Sequence, residues 1–561
     1  VEKIMKIQAC LGAATWAALS LLYSMGNIEI LLSFAFLVLV PLTLLLTNTV
    51  TVEGKPFKSL KLVSICHYPF AVLGTFSVIY EPGMLAGFLA VGWFLYTFML
   101  AGYGVVRLLA RGWKPLDEAL IDIAFIYVVL GGVWLVLHRF DVEGLPFPSV
   151  IVLLTAIHFH YSAFLVPIFT GMLGRYLYTE KIKWPGFPIV AIGVISGPMV
   201  VAAGINFGGV LEYMAVVLYV LVLYWLGIGT IIVMLKGKGA SFGRLAVIIS
   251  SLALLGTMSL SYLYSYGNTF GPVILTIPDM VIFHGVGNAF GYGLLGVLGW
   301  IFLAPPSRDN YYSFPVSKLR GKKYVGSSYM DKYKVRENPP AVRGLVDSFA
   351  MFENDKFHPQ KVDFRIRRFY EDTQPFRLIA KTSWRRGFRF LSRVYHELTG
   401  RFGQLHLEPH RDVVRKQEMV GAVFPILDVA DGREAPRVWL REDKETGETI
   451  FVAVYSYHVY NGKRYMNIAL PLPWSVMTGI LRPDNDEENG LLLTSEKIAD
   501  EKGHEGIYLT VGQGITVRLP ISETFHIQVV DGSSGRLRAT HKMKICGIPC
   551  LELEYEIFEQ R

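Results

Sequence analysis

Eight consecutive residues, Thr155-Ala156-Ile157-His158-Phe159-His160-Tyr161-Ser162, place two imidazoles, a phenol and two hydroxyls inside an otherwise apolar stretch. A second apolar stretch carries Asp279, His284 and Asn288, and a third carries His67 and Tyr68 just before Pro69. Polar side chains are costly in lipid and normally face a bundle interior, a partner group or a wet path. Imidazole nitrogens can ligate a metal ion or haem iron. The same groups can line a path for a polar solute, or tie helices together by hydrogen bonds. The candidate path or binding residues are therefore His158, His160, Tyr161, Ser162, His284 and Asn288. The candidate metal ligands are His158, His160 and His284.

Spacing narrows these uses. His284 and Asn288 are four residues apart and share one helical face. His158 and His160 lie about 200° apart on an ideal helix. They do not meet one ion unless the helix is distorted, and Pro167 lies too far along to ensure that. At about 1.5 Å per residue, His158, Asn288 and His284 lie roughly 14, 15 and 9 Å in from the same side, compatible with one layer. His67 enters from the other side and is expected on another level. Asp122, Glu212 and Asp279 fall near helix ends, and no charged residue is expected at a midpoint. That argues against a proton pump or a voltage sensor. No HExxH zinc-protease pattern occurs in this half.

Ten apolar runs must hold these residues, at about 6–24, 28–47, 60–80, 83–110, 119–138, 149–172, 186–206, 209–235, 243–262 and 278–303. Each is close to the roughly 20 residues that cross a bilayer core. The first reads as a membrane helix and not as a cleaved leader. Residues 1–303 hold 15 Lys+Arg and 12 Asp+Glu, and residues 304–561 hold the other 39 and 34. So 27 charges in 303 residues precede 73 in 258, a membrane-like part followed by a soluble-like one. The net charge of +8 is too diffuse for a dedicated nucleic-acid binder. Fourteen Lys and Arg, from Lys3 through Arg107 and Arg175 to Arg244, fall on one side of the spans, and only Arg139 falls on the other. The positive-inside rule then places both termini in the cytoplasm. Gly287 and Gly291 form a GxxxG pair, which suits close helix packing or a partly broken helix lining a site.

Pro305-Pro306 ends the last run, and a basic tether with Arg320, Lys322 and Lys323 leads to about residue 345. A helix is expected at 383–398. Trp384, Phe388, Leu391 and Tyr395 recur on one face, with Arg386, Arg389 and Arg393 opposite. Trp384 and these arginines are the candidate membrane-surface residues; the alternative is that the aromatic face covers the domain's own sheet. Beyond residue 403 the pattern is β, with Asn461-Gly462 as a type I′ hairpin signal. A last hairpin through Gly547-Ile548-Pro549 would face Lys544 to Glu552, Lys542 to Glu554 and Cys546 to Cys550. The spacing His406-Leu-Glu-Pro-His410 reads as a surface turn, because Pro409 forbids a regular helix there. There is no P-loop, Rossmann fingerprint or nucleophile elbow, so the reading leans away from an enzyme.

The fold class is thus an α-helical polytopic membrane domain (1–303), a linker (304–345) and a β-rich (α+β) domain with an antiparallel meander (346–561). The expected partners are the lipid bilayer and, for the β domain, a small molecule or lipid. Three functions fit. One is a transporter with a regulatory β domain, one a metal or haem protein acting as oxidoreductase or sensor, and one a scaffold or lipid binder. The strings His158-Phe-His160-Tyr161-Ser-Ala-Phe164, His284-Gly285-x-x-Asn288, Phe369-Tyr-Glu-Asp-Thr373 and Tyr465-Met-Asn-Ile-Ala-Leu-Pro471 resemble the YndJ-like membrane proteins of Bacillus-type bacteria. The resemblance covers nearly the whole chain. It implies a multi-pass bacterial plasma-membrane protein, sometimes labelled a transporter, and supplies no catalytic residues.

Overall fold

A computed structural model describes the chain except residues 48–50, 53–54, 57, 112, 114, 308–313, 334–341, 412–414, 499–502, 512–514, 531–534 and 560–561. Two compact units emerge, Val1–Tyr311 and Tyr312–Arg561.

Among the described residues the first unit has ten helices long and apolar enough to cross a membrane. They are α1 (Glu2–Leu22), α2 (Asn27–Thr47), α3 (Ser59–Ile79), α4 (Met84–Leu109), α5 (Leu116–Arg139), α6 (Ser149–Thr179), α7 (Phe187–Phe207), α8 (Gly209–Lys236), α9 (Ser241–Phe270) and α10 (Ile277–Leu303). α2 is apolar nearly all round and is buried from Leu31 to Val40, as a helix wrapped by others must be.

Three of these helices are irregular. α6 is interrupted at 162–164 and resumes at Leu165. Pro167 is the physical reason, since it lacks the N–H that would bond the carbonyl of residue 163 and its ring crowds that carbonyl. The break follows Tyr161, so His158 and His160 stay in regular helix and on different faces, as their spacing predicts. α10 is widened to an i→i+5 pattern over Met280–Gly285 and again over Gly287–Leu294. α2 is widened over Ala35–Leu39. Such widened turns are rare and collect at functional sites.

The second unit is an antiparallel barrel. Its strands are β1 (Phe376–Trp384), β2 (Lys416–Pro425), β3 (Glu434–Asp443), β4 (Thr449–Tyr460), β5 (Lys463–Leu472), β6 (Ser475–Asn485), β7 (Leu491–Thr494), β8 (Gly506–Val511), β9 (Ile515–Arg518), β10 (Ile521–Val529), β11 (Leu537–Ile545) and β12 (Ile548–Glu559). β1 to β6 run as a meander, β12, β11 and β10 continue it beyond β1, and β7 pairs with both β10 and β6. That double pairing closes ten strands into a ring, which removes the exposed sheet edge. The β8–β9 hairpin branches off the first half of β6. One apolar core draws residues from all ten ring strands, among them Ala380, Phe451, Leu481, Leu493, Ile527 and Leu553, and so fills the interior. It is continuous with Phe349, Phe352 and the inner face of α11 (Phe364–Glu371).

Three readings change here. Phe314–Tyr333, expected as a tether, packs on the outer face of the barrel, with Leu319, Val325 and Met330 against Val438, Val452 and Val454. The helix expected at 383–398 begins later, as α12 (Arg389–Phe402), and Trp384 ends strand β1. The last hairpin turns at Cys546-Gly547, not at Gly547-Ile548-Pro549. Both turn residues have positive φ, 51° and 81°, as a type I′ turn requires. Lys542, not Lys544, then faces Glu552, and Cys546 and Cys550 are not opposite each other. Up to Met543 the shift is two residues, so the expected inward and outward faces survive there; a bulge between Met543 and Lys544 offsets the pairing next to the turn. The Asn461-Gly462 hairpin forms as expected, with Tyr460 opposite Lys463.

Candidate functional site

In the membrane unit, His158 of α6, about one turn before the break, lies beside His284 and Asn288 of the widened α10. The His158 and His284 rings are 6.4 Å apart. His284 Nδ1 lies 3.0 Å from the Thr257 carbonyl and 3.1 Å from Ser261 Oγ. A carbonyl can only accept, so the imidazole proton sits on Nδ1. Asn288 Nδ2 then donates to His284 Nε2 at 3.2 Å, and Thr257 Oγ1 donates to Asn288 Oδ1 at 2.9 Å. His158 Nδ1–H donates to the Leu154 carbonyl at 2.6 Å. Its Nε2 has no hydrogen-bond partner among the described residues, and the ring is exposed at the side of the bundle. Thr257 and Ser261 of α9 are therefore part of this cluster. Sequence reasoning missed them because hydroxyls in apolar helices usually bond their own preceding turn.

His160 points elsewhere. Its Nδ1–H donates to the Ala156 carbonyl at 2.8 Å, and Trp93 Nε1–H donates to its Nε2 at 2.9 Å. Trp93 also neighbours His67, at 6.5 Å between rings. His67, expected on a separate level, is thus linked to His160 through one indole. Gly131 makes room for the His160 ring, since a Cβ there would lie 2.7 Å from it. Tyr161 donates to the Leu31 carbonyl at 2.7 Å, and Ser162 pairs with Tyr219 at 3.2 Å. Both tie α6 to neighbouring helices and stand outside the His158–His284–Asn288 cluster. His158, His160 and His284 do not converge, and His160 and His284 have both ring nitrogens engaged. Among the described residues no three His, Cys, Asp or Glu are grouped to hold a metal ion.

A second polar site lies where α4, α5 and α6 meet. Arg107, Glu118, Asp122 and Arg175 are fully buried. Arg107 Nε is 2.5 Å from Asp122 Oδ1, and its Nη2 is 3.0 Å from Glu118 Oε2. Arg175 reaches both oxygens of Glu118, at 2.7 and 2.8 Å. Glycines set this approach: a Cβ at Gly104 would lie 2.5 Å from the Asp122 carbonyl, and one at Gly171 would lie 2.5 Å from that of Asp117. Arg107 and Arg175 were counted above as loop cations, but they lie within α4 and α6. The remaining twelve, Lys3 to Arg244, keep the same bias. The missed signal was a matched set of two acids and two bases at adjoining helix ends.

In the barrel unit, α12 packs through Ser392, Tyr395, His396 and Thr399, while Trp384 Nε1–H donates to the Glu408 carbonyl at 2.9 Å. Trp384 therefore faces the domain, whereas Arg386, Arg389 and Arg393 are exposed. His406 stacks on His396 at 4.1 Å, and His410 joins Arg393, His396 and Arg411 around an open cavity of about 460 Å³.

A buried histidine pair joins strand β4 to the loop before β8. His458 Nε2 and His504 Nδ1 are 2.8 Å apart, and His458 Nδ1 is 2.9 Å from Asn467 Oδ1. Burial, with His458 and then Lys497 adding to it, pushes His504 down to about 4; burial also lowers His458. Tyr460, Tyr465 and Tyr508 surround the pair. These groups are neutral when folded and titrate near 6.5 when unfolded. For His504 the stabilisation is therefore complete above about pH 6.5 and lost between there and about pH 4, and His458 acts in the same direction. For His504 alone the expected loss is about 2 kcal/mol at pH 5. Hydrogen exchange of the β4 and β5 amides, corrected for intrinsic rate, should show this opening. The double variant H458Q/H504Q should flatten it, and an equally steep profile in that variant would assign the effect elsewhere.

These features define a polytopic membrane protein with a C-terminal antiparallel barrel. A family model described as YndJ-like protein matches residues 30–292. The uncharacterized membrane protein YndJ of Bacillus subtilis (strain 168) is 35% identical over 492 residues, 87% of this chain and 86% of that protein. The chain belongs to the YndJ-like family. No solved structure matches it.

Proposed function

We propose that the membrane unit carries a small polar solute and that its binding site is the His158–His284–Asn288 cluster. One observation supports this: a break in α6 and a widening of α10 fall at the layer where unsatisfied imidazole faces the flank of the bundle. Interrupted helices at mid-membrane are how carriers expose backbone and side-chain groups to solute. A purely structural tie would leave the helices regular and both nitrogens of His158 occupied. In this reading both termini lie in the cytoplasm of a bacterial cell, supported by the cation bias. The barrel, whose interior is filled by its own side chains, regulates the carrier.

The test is uptake into proteoliposomes of labelled amino acids, sugars, phosphate and mono- and divalent cations. At least one class should enter faster than in protein-free vesicles. His284→Ala should slow that uptake about tenfold or more, because it also frees Asn288 from its acceptor. Tyr161→Phe should leave uptake near wild type. No uptake of any class, or equal uptake by His284→Ala, would remove the assignment.

A further inference from the structure

α12 has an apolar face that nothing in its own unit covers. Phe390, Leu391, Val394, Leu398 and Phe402 are exposed, Phe390 by 78%. Their spacing, with steps of four from Phe390 through Val394 and Leu398 to Phe402, makes one stripe along the helix. This is not the aromatic face expected from sequence, because Trp384, Phe388 and Tyr395 pack on the barrel core. On one flank of the stripe run Arg386, Arg389 and Arg393, all exposed and without an acidic partner among the described residues. On the same flank Arg393, His396, His410 and Arg411 ring the open cavity. The acid of the helix, Glu397, is taken by Arg401 at 2.7 Å.

We propose that α12 is an interfacial helix that lies on an anionic lipid surface. The stripe enters the acyl boundary by about 5–10 Å, and the arginine row and the Arg393–Arg411 cavity receive lipid phosphates. Three features select lipid as the occupant. The stripe is aliphatic and aromatic along one helix, the charge beside it that is left without an acidic partner among the described residues, Arg386, Arg389 and Arg393, is of one sign, and the chain carries ten candidate membrane spans among the described residues. Each arginine near an anionic surface adds to the attraction. This inference does not depend on what the membrane unit carries.

The experiment uses the full chain in nanodiscs, with exposed Cys10 and Cys546 changed to Ser and a fluorophore placed on V394C. In phosphatidylglycerol discs, brominated acyl chains should quench this label strongly. In phosphatidylcholine discs quenching should fall, and R389E/R393E should lower it about tenfold or more in phosphatidylglycerol. A control label on V459C, also exposed, should stay unquenched. Absence of quenching in phosphatidylglycerol would overturn the proposal, including the case where self-association of the chain covers the stripe. Equal quenching in both lipids, or quenching untouched by R389E/R393E, would overturn the electrostatic docking.

Discussion

Replacing Glu118 by Ala should lower the thermal midpoint of the detergent-solubilised protein more than any other single change in the membrane unit. Glu118 accepts from both Arg107 and Arg175, and all three side chains are fully buried. Removing one member of a buried ion network leaves charge without its counter-charge, which costs about 3–5 kcal/mol. The site joins three helices, α4, α5 and α6, so the loss falls on their mutual packing and not on one helix. Glu118→Gln keeps the shape and one acceptor oxygen but not the charge, and should fall between wild type and Glu118→Ala. The double variant E118Q/R175Q should recover part of the loss, because the second change removes the stranded cation. Differential scanning fluorimetry of the series checks this. A midpoint unmoved by Glu118→Ala would mean that the network does not hold the helices together.

Asp431→Ala should have the largest effect in the barrel unit. Asp431 and Arg433 are both fully buried, with Oδ2 2.6 Å from Arg433 Nε. Asp431 also accepts from Ser317 Oγ at 2.6 Å, and its carbonyl accepts from the Lys318 amide at 2.6 Å. Arg433 in turn donates to the Val454 and Asn467 carbonyls on β4 and β5. One carboxylate thus pins the 314–333 segment to the barrel wall. Its removal should cost about 3–5 kcal/mol and should raise hydrogen exchange and protease cleavage across 314–333 first. Ser317→Ala removes the bond to the carboxylate and the acceptor of the Leu319 amide but leaves the ion pair intact, and should cost less, about 1.5–3 kcal/mol. If Asp431→Ala loosens β4 and β5 but leaves 314–333 protected, the anchoring role belongs to the apolar contacts of Leu319, Val325 and Met330 instead.

Part of the candidate site's geometry was legible before folding was considered, and the rest was not, for identifiable reasons. His158, His284 and Asn288 could be placed in one layer because helical rise is constant and each helix starts at the same surface. Their separation from His160 followed from the angle between positions two apart. The roles of Tyr161 and Ser162 could not be read, because their partners, the Leu31 carbonyl and Tyr219, lie 130 and 57 residues away. The Arg107–Glu118–Asp122–Arg175 network was overlooked because cations near helix ends look like loop charges. Only the closeness allowed by Gly104 and Gly171 turns them inward. On α12 the aromatic face covers the barrel through Trp384, Phe388 and Tyr395, as one of the two readings had it. The exposed stripe of Phe390, Val394, Leu398 and Phe402 was not separated from it, because spacing alone does not say which apolar side of a helix is covered.

By itself the sequence determined ten spans, the division into an apolar and a charged part, and the Asn461-Gly462 turn. Each of these depends on run length or on the φ preferences of adjacent residues, and such local quantities do not need distant partners. Tertiary structure decided that the strands close into a ring through β7, that α6 opens before Pro167 and α10 widens beside it, and that four charges meet between α4, α5 and α6. Those outcomes are set by contacts between residues far apart in the chain, where packing distance and shared hydrogen bonds, not local preference, select the arrangement.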